Sequence, residues 1–307
     1  MSNKVLIIVN PVSGKKNIKK YISRIKENFE KSDFQTEIKY TSIENGARSI
    51  IKGSKEDFDM ILICGGDGTL NQAIQEVEYE NLKVPIGYIP TGTTNDFAHS
   101  INISFDKLHI SKNINKYCSR KIDLGMINDR VFNYVVAFGL FSESSYKTRI
   151  KLKQKLGRFA YVLYGIKEIF NHKTYKLQIQ SDATRIEDEF IYGSISNSKY
   201  IGGFDLFKNK SIEFDDGKFE AVFVKKPKNF IQLVRLILKI LRGKLEDECI
   251  YYIQTSNLEI KCNKPIELSI DGEYGGGKTD IKIHVKKQSI EYLVPTLNKK
   301  IDFTSLS

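Results

Sequence analysis

Three glycines within four positions interrupt an apolar run at Ile63-Cys64-Gly65-Gly66-Asp67-Gly68-Thr69-Leu70-Asn71-Gln72, and this stretch constrains the chain more than any other. Met60 to Cys64 has the continuous apolar character of a strand buried on both faces. Leu70, Ala73, Ile74 and Val77 then fall at helical spacing. A strand, a glycine turn and a helix N-terminus in that order make an anion cradle. Backbone N–H groups freed by the glycines point outward, and the helix dipole adds partial positive charge. The stretch predicts a nucleotide-phosphate site.

Two common phosphate motifs are excluded. A Walker A loop needs GxxxxGK[ST], and Gly14-Lys15 is preceded five residues earlier by Val9. A dinucleotide fingerprint GxGxxG would need glycine at position 71, where Asn71 stands. What remains is an aspartate inside a glycine turn. Asp67 repels phosphate directly, so it either holds Mg²⁺ beside the phosphates or caps the following helix.

The first third of the chain repeats the strand–loop–helix theme. Val5–Val9 ends in Asn10-Pro11-Val12-Ser13-Gly14, followed by a helix pattern of Ile18, Tyr21, Ile22, Ile25 and Phe29. Gln35–Tyr40 reads as a strand, Gly46–Lys52 as a short helix and Asp59–Cys64 as a third strand. Val84–Ile89 is a fourth, broken at Pro90 before Thr91-Gly92-Thr93-Thr94-Asn95-Asp96 and a helix over Phe97–Ile101. Repeated β-α units predict a parallel sheet covered on both faces. Its three glycine- or proline-bearing loops then share the C-terminal strand edge, where ligands bind in open α/β sheets.

Lys121–Gly125 reads as a crossing strand, after which strand composition dominates: Val131–Phe138, Tyr175–Gln180, Glu189–Ile195, Ser211–Phe214, Phe219–Val224, Leu258–Cys262, Ile266–Ile270 and Ile281–Val285. Turns such as Asp215-Asp216-Gly217-Lys218 and Asp271-Gly272 suggest antiparallel pairing. Helical segments are expected at Leu152–Phe170 and Lys228–Arg242. The latter is basic and apolar, and suits either an anionic membrane or one face of a β-rich core, with its apolar stripe wide enough for the core. A second, β-rich domain is expected from about residue 126, with a cleft between the two.

Composition narrows the partners. The 48 Lys and Arg against 37 Asp and Glu give a net charge of +11, which suits ATP, nucleic acid or an acidic membrane and equally suits a lysine-rich background. No apolar run approaches the roughly 20 residues that span a bilayer, and the N-terminal apolar segment is too short for a signal peptide. Cys64, Cys118, Cys249 and Cys262 form no CxxC pair and are expected as thiols in a reducing cytosol.

Three more acids stand at positions that matter. Asp96 lies on the same expected strand-end edge as Asp67, and Asp123 follows the next strand. Each taken alone suits a cap, whereas together they suggest a metal–water network serving phosphates. Asp271 opens a turn after the alternating strand Ile266–Ile270. An ordinary hairpin explains it, but Gly272, Gly275, Gly276 and Gly277 predict a looser loop open to substrate, where an aspartate accepts a proton from an attacking hydroxyl.

Taken together, Asn10–Gly14, Gly65–Asn71, Pro90–Ala98, Ser196–Gly203, Asp215–Gly217 and Asp271–Glu273 resemble the diacylglycerol, sphingosine and ceramide lipid kinase family, and most of all its soluble bacterial diacylglycerol kinases. The motifs occur in family order and span nearly the whole chain. GGDGT alone is shared with NAD kinases and phosphofructokinase-like enzymes; the Gly-Thr-Thr-Asn-Asp-Phe loop and the late Asp-Gly-Glu make the resemblance specific. It implies an α/β nucleotide-binding domain over residues 1–125, completed by the C-terminal tail 290–307, and an antiparallel β-sandwich domain with flanking helices over 126–289.

The resemblance further implies ATP bound by Asn10, Pro11, Val12, Ser13, Gly14, Thr41, Gly66, Asp67, Gly68, Thr69, Leu70, Asn71, Gln72 and Thr93. Asp67, Asp96 and Asp123 would form a network around Mg²⁺ and water at the phosphates. Asp271 would activate the lipid hydroxyl, with Glu273 beside it. A structural Mg²⁺ would take the Asp216 side chain and the backbone oxygens of Glu213 and Lys218. Where the family carries a third glycine after Tyr-Ile-Gly-Gly, this chain has Phe204, a departure on the lipid side.

The expected activity is ATP-dependent phosphorylation of diacylglycerol to phosphatidate by a cytoplasmic enzyme that meets anionic membrane reversibly. A homodimer is compatible and nucleic acid is not expected. Rival readings are a kinase of a sphingoid base or monoacylglycerol, an NAD kinase-like enzyme, and a non-enzymatic nucleotide- or lipid-binding regulator.

Overall fold

A computed structural model describes residues 3–14, 18–54, 58–140, 173–201, 204–208, 210 and 212–296. The described chain is mostly strand with few helices. Its first part runs β1 (Asn3–Val9), α1 (Lys19–Glu30), β2 (Phe34–Tyr40), α2 (Ala47–Lys52), β3 (Met60–Gly65), α3 (Asp67–Tyr79), β4 (Ile86–Pro90), α4 (Asp96–Ser100) and α5 (His109–Lys112). These strands pair in parallel in the order β2-β1-β3-β4. The unbroken apolar runs follow from burial on both faces. Val5, Ile7 and Val9 pack with Ile22, Ile25 and Phe29 of α1, whereas Leu6 and Ile8 pack with Leu70, Ile74 and Val77 of α3.

The remainder runs β5 (Tyr117–Ile127), β6 (Arg130–Phe132), β7 (Val135–Gly139), β8 (Tyr175–Ser181), β9 (Arg185–Ser196), β10 (Tyr200–Ile201), β11 (Phe204–Asp205), β12 (Phe219–Lys225), α6 (Phe230–Leu241), β13 (Ile250–Thr255), β14 (Asn257–Ile270) and β15 (Glu273–Pro295). Its main sheet is antiparallel. Strands β9 and β14 are each long enough to pair with β7 at one end and β8 at the other, so these four close into a ring. Phe132, Phe138, Phe190 and Phe223 belong to the apolar cluster of these strands. Strand β15 joins the two regions: it pairs with β14 and β5, and Tyr292 reaches Ile86 of β4 in parallel.

Four expectations change. The strand expected over Val131–Phe138 is broken between β6 and β7, because the N–H groups of Asn133 and Tyr134 turn to a side-chain carboxylate instead of a neighbouring strand. Residues 212–214 form no strand; Ile212 and Phe214 are buried from a loop, and the Phe214 carbonyl accepts the Asp123 N–H at 2.7 Å. The loose glycine loop is absent: Ile270 pairs with Glu273, leaving a two-residue turn, and Gly275–Gly277 belong to β15. The apolar stripe of α6 is only partly used by the core: Leu233 and Leu236 are buried, but Ile231 and Leu238 are not. The helix expected over Leu152–Phe170 lies outside the described residues. Among those described, no helix is long and apolar enough to cross a membrane, and the four cysteines are free thiols.

Candidate active site

The loops after β1, β3 and β4 meet backbone to backbone. Gly14 has φ +68°, and a Cβ there would lie 1.8 Å from the Thr91 carbonyl oxygen. A Cβ on Gly92 would lie 2.8 Å from Gly66 Cα, so neither site accepts a larger residue without moving a loop. Asn10 N donates to the Cys64 carbonyl at 2.8 Å and Thr91 N to the Gly65 carbonyl at 2.7 Å. Asn10 Nδ2 bonds Thr69 Oγ1 at 2.9 Å. Asn95, at φ +50°, closes the third loop by exchanging bonds with Gly92 N and O at 2.9 and 2.8 Å.

These loops border a cleft of about 600 Å³, a volume that suits a nucleotide-sized ligand. Of the residues that the family resemblance assigns to ATP, Asn10, Ser13, Thr41, Gly66, Gly68, Thr69 and Gln72 line it. Glu273 lines it too, although it comes from β15. Sequence reasoning missed Ser42, Ile43, Gly46, Arg48 and Ser49, which enter from the β2–α2 connection and α2. Arg48 brings a cation to a cleft rich in backbone donors. Its guanidinium bonds Gln75 Oε1, and its Nε lies 3.7 Å from Glu76 Oε2. Pro11, Val12, Gly14, Asp67, Leu70, Asn71 and Thr93 are not among the residues lining the cleft. The Leu70 side chain is in the core and Thr93 is exposed.

Asp67 does not cap its own helix. Its Oδ2 accepts the N–H of Asp96 at 3.2 Å, at the start of α4, while Gly66 is the N-cap of α3. Its Oδ1 is buried with no hydrogen-bond partner among the described residues. Burial first, then the neighbouring Asp96 carboxylate, pushes Asp67 up to about 6 despite backbone donors from Asn95, Asp96 and Phe97. An orphaned carboxylate oxygen beside a second buried acid fits a divalent cation, which would relieve both costs. Among the described residues no three His, Cys, Asp or Glu side chains gather as a metal site. A cation there would therefore complete its shell with phosphate oxygens and water, as Mg²⁺ does.

Asp123 takes its direct hydrogen bonds at a second turn. Its Oδ2 accepts Gly217 N at 2.6 Å and its Oδ1 accepts Gln288 N at 2.7 Å. The carboxylate therefore sits at the Asp215–Lys218 turn, and it shares no hydrogen-bond partner with Asp67 among the described residues. Burial raises its pKa, against the Gln288 and Gly217 donors. In the same turn Asp216 Oδ1 accepts Lys218 N at 2.9 Å, and Asp215 pairs with Arg120 at 2.9 Å. Glu213 and Lys218 are exposed. Sequence reasoning missed Glu220, whose Oε2 is buried without a hydrogen-bond partner among the described residues; burial first, then Asp216, pushes it up to about 8. Its position in an apolar strand run, Phe219–Val224, was the available signal.

Asp271 and Gly272 have φ +51° and +83°, the signature of a type I′ hairpin. The turn itself is ordinary, but its aspartate is buried. Asp271 Oδ2 accepts Asn133 N at 2.7 Å, and Oδ1 accepts Tyr134 N and Val135 N at 2.9 and 3.0 Å. A carboxylate offers about four acceptor sites, so the three donors found among the described residues leave one. Burial raises Asp271 to about 6, with those three N–H groups opposing the shift. Behind it, Tyr292 OH donates to Asn133 Oδ1 at 3.0 Å, and Asn71 Nδ2 reaches the Asp271 carbonyl at 3.4 Å. Glu273 is tied to Arg130 at 2.8 Å. A phosphate-type cleft thus adjoins a fixed carboxylate whose proton affinity lies near neutrality, an arrangement suited to transferring a phosphoryl group to a hydroxyl.

The chain is similar to known proteins over most of its length. The family model described as "Diacylglycerol kinase catalytic domain" matches residues 4–127. The chain is 30% identical over 273 residues to "Diacylglycerol kinase" of Bacillus subtilis (strain 168), covering 88% of this chain and 89% of that one. It is 30% identical over 298 residues to the protein of the same name from Staphylococcus carnosus (strain TM300), covering 96% of each. A crystal structure from Bacillus anthracis str. Sterne, put forward as a diacylglycerol kinase, superposes with a TM-score of 0.78 at 25% identity, covering 94% of this chain and 96% of that one.

Proposed function

This chain belongs to the diacylglycerol kinase family, and on that premise we propose that Asp271 is the base by which it moves the γ-phosphoryl group of ATP to the hydroxyl of diacylglycerol. The chain is a kinase of diacylglycerol, and its product is phosphatidate. The single observation that carries the role of Asp271 is its buried carboxylate, fixed by three backbone N–H groups with one acceptor site left.

In this reading the ATP phosphates lie over the backbone of Asn10–Gly14 and Gly66–Gln72, with Thr41 and Thr93 at the margins and Arg48 adding positive charge. Bound Mg²⁺ would be held by Asp67 with Asp96 beside it, and would offset phosphate charge as transfer proceeds. Asp123 supports the Asp215–Lys218 turn, where a second cation would meet the Asp216 side chain and the backbone oxygens of Glu213 and Lys218. The orphaned oxygen of Glu220 and its nearness to Asp216 support a cation in that region.

The hydroxyl proton passes to the free acceptor site of Asp271 as the hydroxyl oxygen bonds to the γ-phosphorus. The bond from the γ-phosphorus to the β–γ bridging oxygen breaks, and ADP leaves. Because the transition state of phosphoryl transfer is loose, positioning contributes most and the base orients the nucleophile. Glu273, paired with Arg130, borders the cleft beside it.

We divide the chain into a nucleotide domain over 1–125 with the returning tail from 290, and a lipid domain over 126–289. The pairing of Tyr292 with Ile86 supports that assignment. The acceptor lives in a bilayer, so the enzyme associates peripherally with anionic membrane.

The test offers γ-labelled ATP with diacylglycerol, monoacylglycerol, a sphingoid base or NAD in parallel. Label is expected in phosphatidate. Label entering NAD alone overturns the lipid-kinase reading.

A further inference from the structure

Helix α6 is a 12-residue segment whose N-terminus is fixed by a reciprocal cap. The Asn229 side chain accepts Gln232 N at 2.9 Å, and Gln232 Oε1 accepts Lys228 N at 2.6 Å. At 3.6 residues per turn, Leu233, Leu236 and Ile240 share one face; Leu233 and Leu236 are buried, and Leu236 and Ile240 pack with the largest apolar cluster. Phe230, Ile231, Val234, Ile237 and Leu238 share the neighbouring face, and all five are exposed, Ile231 to 80%. A cluster of large apolar side chains left open on a well-capped helix marks an interaction surface.

Its chemistry selects the partner. Residues 226–244 contain Lys226, Lys228, Arg235, Lys239, Arg242 and Lys244 and no acidic residue. Arg235, Lys239 and Arg242 line the same shallow groove as the exposed apolar residues, at its polar margin. Arg235 and Lys239 both approach Asp247, at 3.8 and 2.8 Å, so a single carboxylate faces two cations. Two copies of this face would oppose like charges on chains that each carry +11. An anionic lipid surface instead accepts the apolar residues among its acyl chains and the cations among its headgroups.

We propose that α6 is the membrane-docking element, inserting Phe230, Ile231, Val234 and Leu238 into the interface of an anionic bilayer. The inference rests on the reading that the acceptor lipid lies in a membrane, but it assigns the contact to one helix face.

The chain contains no tryptophan, so Ile231→Trp places a single reporter on that face. With vesicles of phosphatidylcholine and phosphatidylglycerol, its emission should shift to the blue and be quenched by bromine-labelled acyl chains, and more weakly with phosphatidylcholine alone. Ile231→Gln with Leu238→Gln should lower vesicle partitioning by about 10- to 100-fold. Activity on diacylglycerol in vesicles should fall with it, while activity on a short-chain, water-dispersed diacylglycerol is kept. Both positions are exposed, and an unchanged thermal transition checks the fold.

A reporter that stays solvent-exposed while the protein sediments with vesicles overturns the proposal, because another surface then docks. A blue-shifted reporter in the absence of lipid, coupled to self-association that the double variant abolishes, also overturns it in favour of a second copy. Failure to phosphorylate either diacylglycerol would defeat the lipid-kinase reading itself, an outcome distinct from both.

Discussion

The side-chain amide of Asn71 donates to the main-chain carbonyl of Asp271 at 3.4 Å, across 200 residues of sequence. It joins the second turn of the helix that follows the phosphate loop to the hairpin carrying the proposed base. Asn71→Ala should therefore separate binding from turnover. Misplacing a reacting group by about 1 Å costs on the order of 100-fold, so kcat should fall by about 10- to 100-fold with KM for ATP little changed. Steady-state kinetics in ATP checks this; an effect confined to KM would place Asn71 on the nucleotide alone.

The pH profile should carry the burial of Asp271. An ordinary aspartate titrates near 4, whereas burial lifts this one to about 6. A base must be unprotonated, so kcat/KM should rise with pH through a limb near 6 and level off above it. Asp67, lifted to a similar value without a cation, adds to that limb only at Mg²⁺ too low to fill the site, since a bound divalent ion keeps its carboxylate ionised. The same shift acts oppositely on stability: the contribution of a raised carboxyl is fully present below its unfolded pKa and is lost as pH rises through about 6. A limb near 4 would contradict the buried placement of both acids.

Two glycines of the phosphate loops should respond in opposite ways. At Gly14 a Cβ collides with the Thr91 carbonyl and φ is positive, so Gly14→Ala should weaken ATP binding and lower the thermal transition. At Gly68 a Cβ meets nothing within 4 Å, inside a helix that favours alanine over glycine by about 1 kcal/mol. Gly68→Ala should keep or raise the transition temperature. Thermal shift with and without ATP reads both.

Arg48 tests a cleft residue outside every recognisable motif. It lines the cleft while Gln75 and Glu76 hold its guanidinium. Arg48→Ala should raise KM for ATP several-fold with a smaller effect on kcat, and Arg48→Lys should recover part of the loss. Unchanged kinetics would make the residue a helix–helix tie between α2 and α3.

The parallel strands and their loops were legible because period and punctuation agree there. Val5–Val9 and Met60–Cys64 are apolar throughout, and each stops at a turn or glycine loop. What the sequence could not convey depends on long-range hydrogen bonding. The N–H groups of Asn133 and Tyr134 look like strand donors until Asp271 claims them. Asp271-Gly272 looked like part of a loose loop, since local composition does not report that Gly275–Gly277 would pair with β14. Asp123 was grouped with Asp67 by charge and order, yet its oxygens are engaged by Gly217 and Gln288. Arg48 had no motif at all, since it enters the cleft from a connection whose path only the fold defines.

The role of Asp271 is tested most directly by Asp271→Asn, measured in one preparation for ATP binding and for transfer of label from γ-labelled ATP to diacylglycerol. Asparagine keeps the size of the side chain and loses the proton acceptor. The amide nitrogen cannot accept the backbone N–H that one carboxylate oxygen takes, so stability should fall by about 1–3 kcal/mol, while ATP binding to the folded protein remains near wild type and phosphatidate formation falls by about 100- to 10,000-fold. Phosphatidate formation near the wild-type rate would remove Asp271 from the chemistry and leave its three backbone contacts a purely structural clasp.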